Sequence, residues 1–258
     1  MKTQIEIFEQ GKGLGIFSNN EKFYPLETPL TTRNKHFKET RLRLGERLNL
    51  DGHKIFHSTQ KSNLNKINYP NGKYIVITNE NLKKEDYWDE ILECDILLIS
   101  NKYPNIIVGN QMADCPILIA EDRRKGITAL SHCGAAYIDR KLPVDTIKAL
   151  EQEYNSNLDD IYVYITSHIS KDSYIYDKYP KWATNNEIWK NSITKVDEKY
   201  SIDLSLAIKE QLILYGVKHI EESNIDTATN DNYYSHYATN HNKKDKLGQN
   251  FVGFYYKN

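Results

Sequence analysis

What most limits the folds open to this chain is a series of short apolar and β-branched runs, each closed off by polar turns: Asp95–Ser100, Asn105–Gly109, Cys115–Ala120, Gly126–Leu130 and Asp160–Thr166. Runs of this length suit buried strands and are too short to be amphipathic helices by themselves. Lys73–Thr78 and Asn250–Tyr256 carry the same signature. Between them lie segments with helical spacing. Thr31–Leu50 places Phe37, Leu42, Leu44 and Leu48 among charges, Asn81–Leu92 reads as a helix, and Val144–Tyr154 has Ile147 and Leu150 on one face. Asp203–Tyr215 lines up Leu204, Ala207, Ile208, Gln211, Leu212 and Tyr215, with Gly216 placed to cap its end. Strands and helices mixed along the chain predict an α/β (α+β) fold, a mixed β-sheet core covered by helices. Only 12 Gly and 7 Pro punctuate the 258 residues and no linker-like stretch interrupts them, so one domain over 1–258 is expected.

Charge and composition narrow the partners. Lys plus Arg is 34 against 35 for Asp plus Glu, a net charge of −1, which is not the footprint of a nucleic-acid binder. The apolar runs Ile96–Ile99 and Pro116–Ala120 fall far short of the ~20 residues needed to cross a bilayer. The opening Met1–Gln10 alternates charged and apolar residues and has no secretory core, so a cytoplasmic protein is expected. Three cysteines, Cys94, Cys115 and Cys133, follow no disulfide framework and fit reduced thiols. A chain of this length buries roughly three quarters of its unfolded surface, so any metal would serve function rather than folding.

The chemistry concentrates in Met112-Ala113-Asp114-Cys115-Pro116 and Ser131-His132-Cys133-Gly134. If the flanking strands pair as a hairpin over the charged turn Glu121–Lys125, the start of one lies beside the end of the other, and Cys115 meets His132. A cysteine and a histidine so placed suit either a thiolate activated by imidazole or two ligands of a divalent metal such as zinc. Cys133, next to His132, points the opposite way if the strand continues. The sequence has no Gly-rich phosphate loop, Ser-centred nucleophile elbow or paired-cysteine zinc ribbon.

These residues resemble the bacterial laccase-domain family, whose members are described as polyphenol oxidases and as purine nucleoside phosphorylases. Its Thr-Ala-Asp-Cys-x-Pro strand motif resembles Met112–Pro116, with Met112 where the family has Thr, and its His-Ala-Gly-Trp-Arg-Gly motif resembles the segment starting at His132, in the same order and at the same separation. Thr40–Leu50, Cys94–Ser100, Tyr200–Leu204, Thr227–Thr229, Tyr233–His236 and Gly248–Asn250 extend the likeness over most of the chain. The family's Trp-Arg-Gly is Ala135-Ala136-Tyr137 here, and its tail arginines fall at Tyr237, Ala238 and Gln249.

The resemblance implies a fold like that of the laccase domain and of toxin cysteine hydrolases. It also implies a zinc site, with copper as the alternative metal. The family's third ligand histidine falls within Ile55–Asn63, where one register offers His57 and another Ser62; we take His57, giving His57, Cys115 and His132. The implied function is a zinc-dependent purine nucleoside enzyme, performing phosphorolysis or adenosine deamination, with Asp114 as a proton carrier. Its partners would be a nucleoside and phosphate. A cysteine hydrolase acting on a peptidoglycan precursor and a non-catalytic binding member are the alternatives. His168 is expected near the same rim. His36, His53, His219 and His241 are expected to be solvated, and Tyr174, Tyr176, Tyr179, Trp182 and Trp189 to pack or to form an aromatic wall.

Overall fold

The β-branched runs form strands and the amphipathic segments form helices in the computed structural model of the chain, which describes residues 5–10, 13–20, 41–42, 44–46, 49–59, 74–82, 92–244 and 248–257. Among the described residues the expected mixed-sheet core is made of two mixed sheets of six strands each. The first runs β1 (Ile5–Gln10), β2 (Gly13–Asn20), β15 (Gln249–Tyr255), β7 (Ile107–Met112), β3 (Ile55–Thr59), β5 (Leu92–Glu93). The second runs β14 (His219–Glu222), β10 (Ile161–Ile165), β8 (Ile117–Asp122), β9 (Ile127–His132), β6 (Ile96–Ser100), β4 (Tyr74–Ile77). A small third sheet holds β11 (Ile175–Tyr176), β13 (Lys199–Ile202) and β12 (Ile193–Val196). Among the described residues, 41–42 and 44–46 are helical, and the other helices are α1 (Asn79–Leu82), α2 (Ala135–Asp139), α3 (Leu142–Tyr154), α4 (Asn186–Trp189), α5 (Leu204–Tyr215) and α6 (His236–Asn240). Most of the helix expected over 31–50 and of that over 81–92 lies outside the described residues.

Strand alternation builds the layers. On the second sheet Leu97, Ile99, Ile117, Ile119 and Leu130 face the first sheet and pack on its Phe56, Val108, Met112, Val252 and Phe254. The intervening residues Ile96, Leu98, Leu118, Ala120 and Ala129 face the opposite way, onto Ile147 and Leu150 of α3 and Ala207, Ile208 and Leu212 of α5. Strands covered on both faces need apolar residues at every position, which is why these runs read as continuous rather than alternating. α5 starts at Asp203, whose side chain accepts from the Leu206 N–H at 2.8 Å, and stops at Gly216, whose φ of 108° suits glycine.

The expected hairpin is present. β8 and β9 pair antiparallel with Ile117 opposite His132 and Asp122 opposite Ile127. The first strand begins at Ile117 instead of Cys115, because Pro116 has no N–H to give the ladder. Beyond it, Cys133 N–H donates to the Pro116 carbonyl at 2.9 Å, so the segment carrying Cys115 stays alongside the turn leaving β9.

Candidate functional site

A cavity of about 790 Å³ opens at the end of the gap between the two large sheets. Gln111 and Met112 from β7, Asp114 and Cys115 from the lead into β8, His132 from the end of β9 and Gln249 from the start of β15 line it. Tyr174, Tyr176, Tyr237 and His241 supply aromatic surface. The hairpin thus brings Cys115 and His132 together. His132 shares the face of Leu130, whereas Cys133 is fully buried in the core on the helix side, with Sγ 3.6 Å from Ser131 Oγ.

The two chemistry-bearing side chains are both neutral at pH 7 in this setting. Burial pushes the Cys115 thiol up to about 12, helped by the charge of Asp114 and opposed by the Ala135 N–H. Burial alone pulls the His132 imidazole down to about 4. The Cys115 sulfur lies over Gly134, where an added methyl would meet it at 3.4 Å. Asp114 is committed elsewhere: Oδ1 accepts from Thr227 Oγ1 at 3.0 Å and Oδ2 from the Tyr237 N–H at 2.8 Å. That carboxylate ties the strand motif to the first turn of α6, beside Ser235, which caps the same helix through Ala238 N–H.

The other sequence candidates separate. β3 carries His57 opposite Gly109 of β7, two residues before the cavity-lining Gln111; the His57 side chain and all of Ser62 lie outside the described residues. His168 does not line the cavity. It is buried, with Nδ1 2.7 Å from the Thr166 carbonyl oxygen, and burial holds its pKa below the usual histidine range. Tyr174 and Tyr176 do form a wall, their hydroxyls 3.1 Å apart, while Trp182 and Trp189 stack edge to face at 5.0 Å behind it and Tyr179 packs on Tyr200. Tyr237 joins this wall: it meets Tyr174 at 5.4 Å and exchanges hydrogen bonds with the Ile175 backbone. His241, expected to be solvated, is exposed yet stacks on Tyr237 at 4.1 Å in the cavity lining. The spacing of 237 and 241, one helical turn, was the available signal.

Zinc favours thiolate and imidazole donors and needs three protein ligands at a catalytic centre. Cys115 and His132 suit it by chemistry. Among the described residues no three His, Cys, Asp or Glu side chains gather into a metal-binding group, so a third donor has to come from outside them.

Two packed mixed sheets with a Cys and His pair at the mouth of their gap define a class of fold and site. The chain belongs to the multi-copper polyphenol oxidoreductase laccase family, whose family model matches residues 31–251. A Clostridium acetobutylicum protein named purine nucleoside phosphorylase is 29% identical over 147 residues, 56% of this chain and 60% of that protein, so less than two thirds of that relative is matched. Among solved structures, Geobacillus stearothermophilus YlmD superposes with a TM-score of 0.73 at 15% identity, covering 96% of this chain and 93% of that one. Bacillus licheniformis hypothetical protein YfiH gives 0.71 at 16% identity, covering 95% and 93%. Neisseria meningitidis protein NMB0706 gives 0.68 at 12% identity, covering 98% and 99%. These likenesses establish the fold. No helix among the described residues is long and apolar enough to cross a membrane.

Proposed function

We propose that the chain is a purine nucleoside phosphorylase that releases the base from its ribose with phosphate as the incoming group. One observation carries the reading: Cys115 and His132 share a single cavity with Tyr174, Tyr176, Tyr237 and His241. A volume of about 790 Å³ is within the usual range for small-molecule sites. Tyrosine and histidine faces suit a planar base, since stacking is worth about 1–3 kcal/mol per base. The relative named purine nucleoside phosphorylase supports the same substrate class.

The roles follow from the side chains. His132, at the end of β9, presents to the cavity an imidazole of the kind a divalent metal takes as a donor. Asp114 acts as a positioning residue, because both its oxygens are engaged in holding Tyr237 and Thr227. A zinc ion, were it held by His57, Cys115 and His132, would supply Lewis acidity in the cavity. With its pKa pushed up to about 12, the Cys115 thiol stays protonated at neutral pH unless a cation binds it, which speaks against a free thiolate nucleophile.

The test is turnover of adenosine and inosine with and without phosphate, together with elemental analysis. Expected results are phosphate-dependent release of free base and ribose 1-phosphate and about one zinc per chain, with both falling sharply in His57→Ala. Ammonia release independent of phosphate would make the protein a deaminase instead. A metal-free parent with no turnover overturns the proposal.

A further inference from the structure

Two cations line the cavity among the described residues, Lys199 at the start of β13 and Lys243 just after α6. The sequence gives neither any motif, and both are exposed, so their significance rests on where the fold holds them. Lys243 is fixed from its backbone. Its N–H donates to the Ala238 carbonyl at 2.8 Å. The adjacent Lys244 buries its ammonium against three carbonyls, those of Thr227 at 2.8 Å, Asn230 at 2.6 Å and Tyr233 at 2.7 Å. The Lys243 ammonium itself faces the Tyr237 ring at 5.9 Å, the outer limit of a cation–π contact, so its charge is lightly engaged. Lys199 pairs with Asp177 at 3.3 Å, but those side chains are 61% and 85% exposed, and an ion pair so open to water exchanges readily for another anion. The other acid in the lining, Asp114, is held by Thr227 and Tyr237. Once Asp177 turns to solvent, the cavity lining presents two positive charges.

We propose that Lys199 and Lys243 form a phosphate subsite in the lining of this cavity. The inference deepens the phosphorolysis reading and rests on it for the role of the anion. The shared ligand chemistry is a phosphate group, either inorganic phosphate or the phosphate of a nucleotide.

Calorimetric titration of the full chain at low salt with inorganic phosphate, adenosine 5′-monophosphate and adenosine tests it without requiring turnover. The expected result is phosphate binding that weakens about tenfold in Lys243→Gln and in Lys199→Gln, and recovers in Lys243→Arg. Adenosine affinity should stay the same in all variants, and Lys218→Gln, a cation outside the cavity that pairs with Asp159, should bind phosphate like the parent. Lysine-dependent binding of the monophosphate without binding of inorganic phosphate would keep the subsite and remove the phosphorolysis role. Equal affinities in parent and glutamine variants, with circular dichroism showing all of them folded, overturn the subsite. So does a parent that binds neither phosphate nor the monophosphate. Phosphate binding with the expected lysine dependence but no nucleoside turnover would count against the enzyme proposal alone.

Discussion

The floor and the wall of the cavity are built on different physics. The floor is the β8–β9 ladder, held by backbone pairing from Ile117–His132 to Asp122–Ile127 and by apolar side chains buried on both faces. The wall comes from irregular segments around Tyr174, Thr184 and Tyr237, and carboxylates pin it. Asp139 accepts from Thr184 N–H at 2.9 Å, Asn185 N–H at 2.8 Å and Trp189 Nε1 at 2.7 Å. Asp226 accepts from Ser170 N–H at 3.1 Å, Ser170 Oγ at 2.9 Å and Ala228 N–H at 2.9 Å, and also from the Ser173 hydroxyl. Asp114 does the same for Tyr237 and Thr227. Hydrophobic burial is indifferent to charge, whereas a carboxylate with several donors is a charge-assisted anchor that protonation weakens. The wall should therefore loosen while the floor stays intact.

The largest effect should come from the floor. Leu130→Ala, at a fully buried position between the sheets, should cost about 2–5 kcal/mol of global stability by denaturant unfolding. A loss confined to local exchange near the cavity would show that the floor is not part of the common core. Asp226→Ala comes next, at about 1–3 kcal/mol, since it strands the donors of Ser170, Ser173 and Ala228. Hydrogen exchange should open residues 170–176 before β8 and β9, and simultaneous opening would erase the distinction between the regions.

A pH titration sharpens it further. Burial raises the Asp139 and Asp226 carboxyls, but their hydrogen bonds outweigh it and hold both below the ordinary value of 3.8. Folded pKa values below unfolded ones mean that this stabilisation is complete above about pH 4 and fades as pH falls through the folded values. His168, also depressed by burial, works with the same sign from higher pH: its contribution is present above the ordinary 6.5 and declines below it. Fluorescence of Trp182 and Trp189, beside the Asp139 anchor, should thus change in acid before circular dichroism reports loss of the sheets, and Asp139→Asn should blunt the later part of that change. Coincident transitions would contradict it. The smallest effect belongs to Cys133→Ser, which should leave metal content unchanged because the thiol faces the helix side of the sheet; loss of metal would place Cys133 in the site.

The same division explains what could be read from the residues alone. The hairpin joining Cys115 to His132 was legible because both strands are continuous apolar runs around one charged turn, and a period of two fixes which neighbour of His132 turns away. Two sheets were not distinguishable from one, since a strand buried on both faces carries no mark of what lies on either side. The wall was largely hidden. β11, β12 and β13 are only two to four residues long, and the segments around them are held by Asp139, Asp226 and Tyr237 through partners 45 to 62 residues away. Lys199 and Lys243 reach the cavity only through those same long-range ties, so no local pattern could single them out.

β15 has a consequence for how the molecule is made. Its residues pair with β2 on one side, Phe251 opposite Ser18, and with β7 on the other, Val252 opposite Asn110. A growing chain therefore exposes the edges of β2 and β7 while β8, β9, β10 and β14 of the second sheet are made, and the first sheet closes only when residues 249–255 arrive to join its halves. Pairings so remote in sequence slow the search for the native state and leave strand edges open to other chains meanwhile. The arrival of β15 also delivers Gln249 to the cavity lining, so a nascent chain lacks a finished site until its first sheet is sealed.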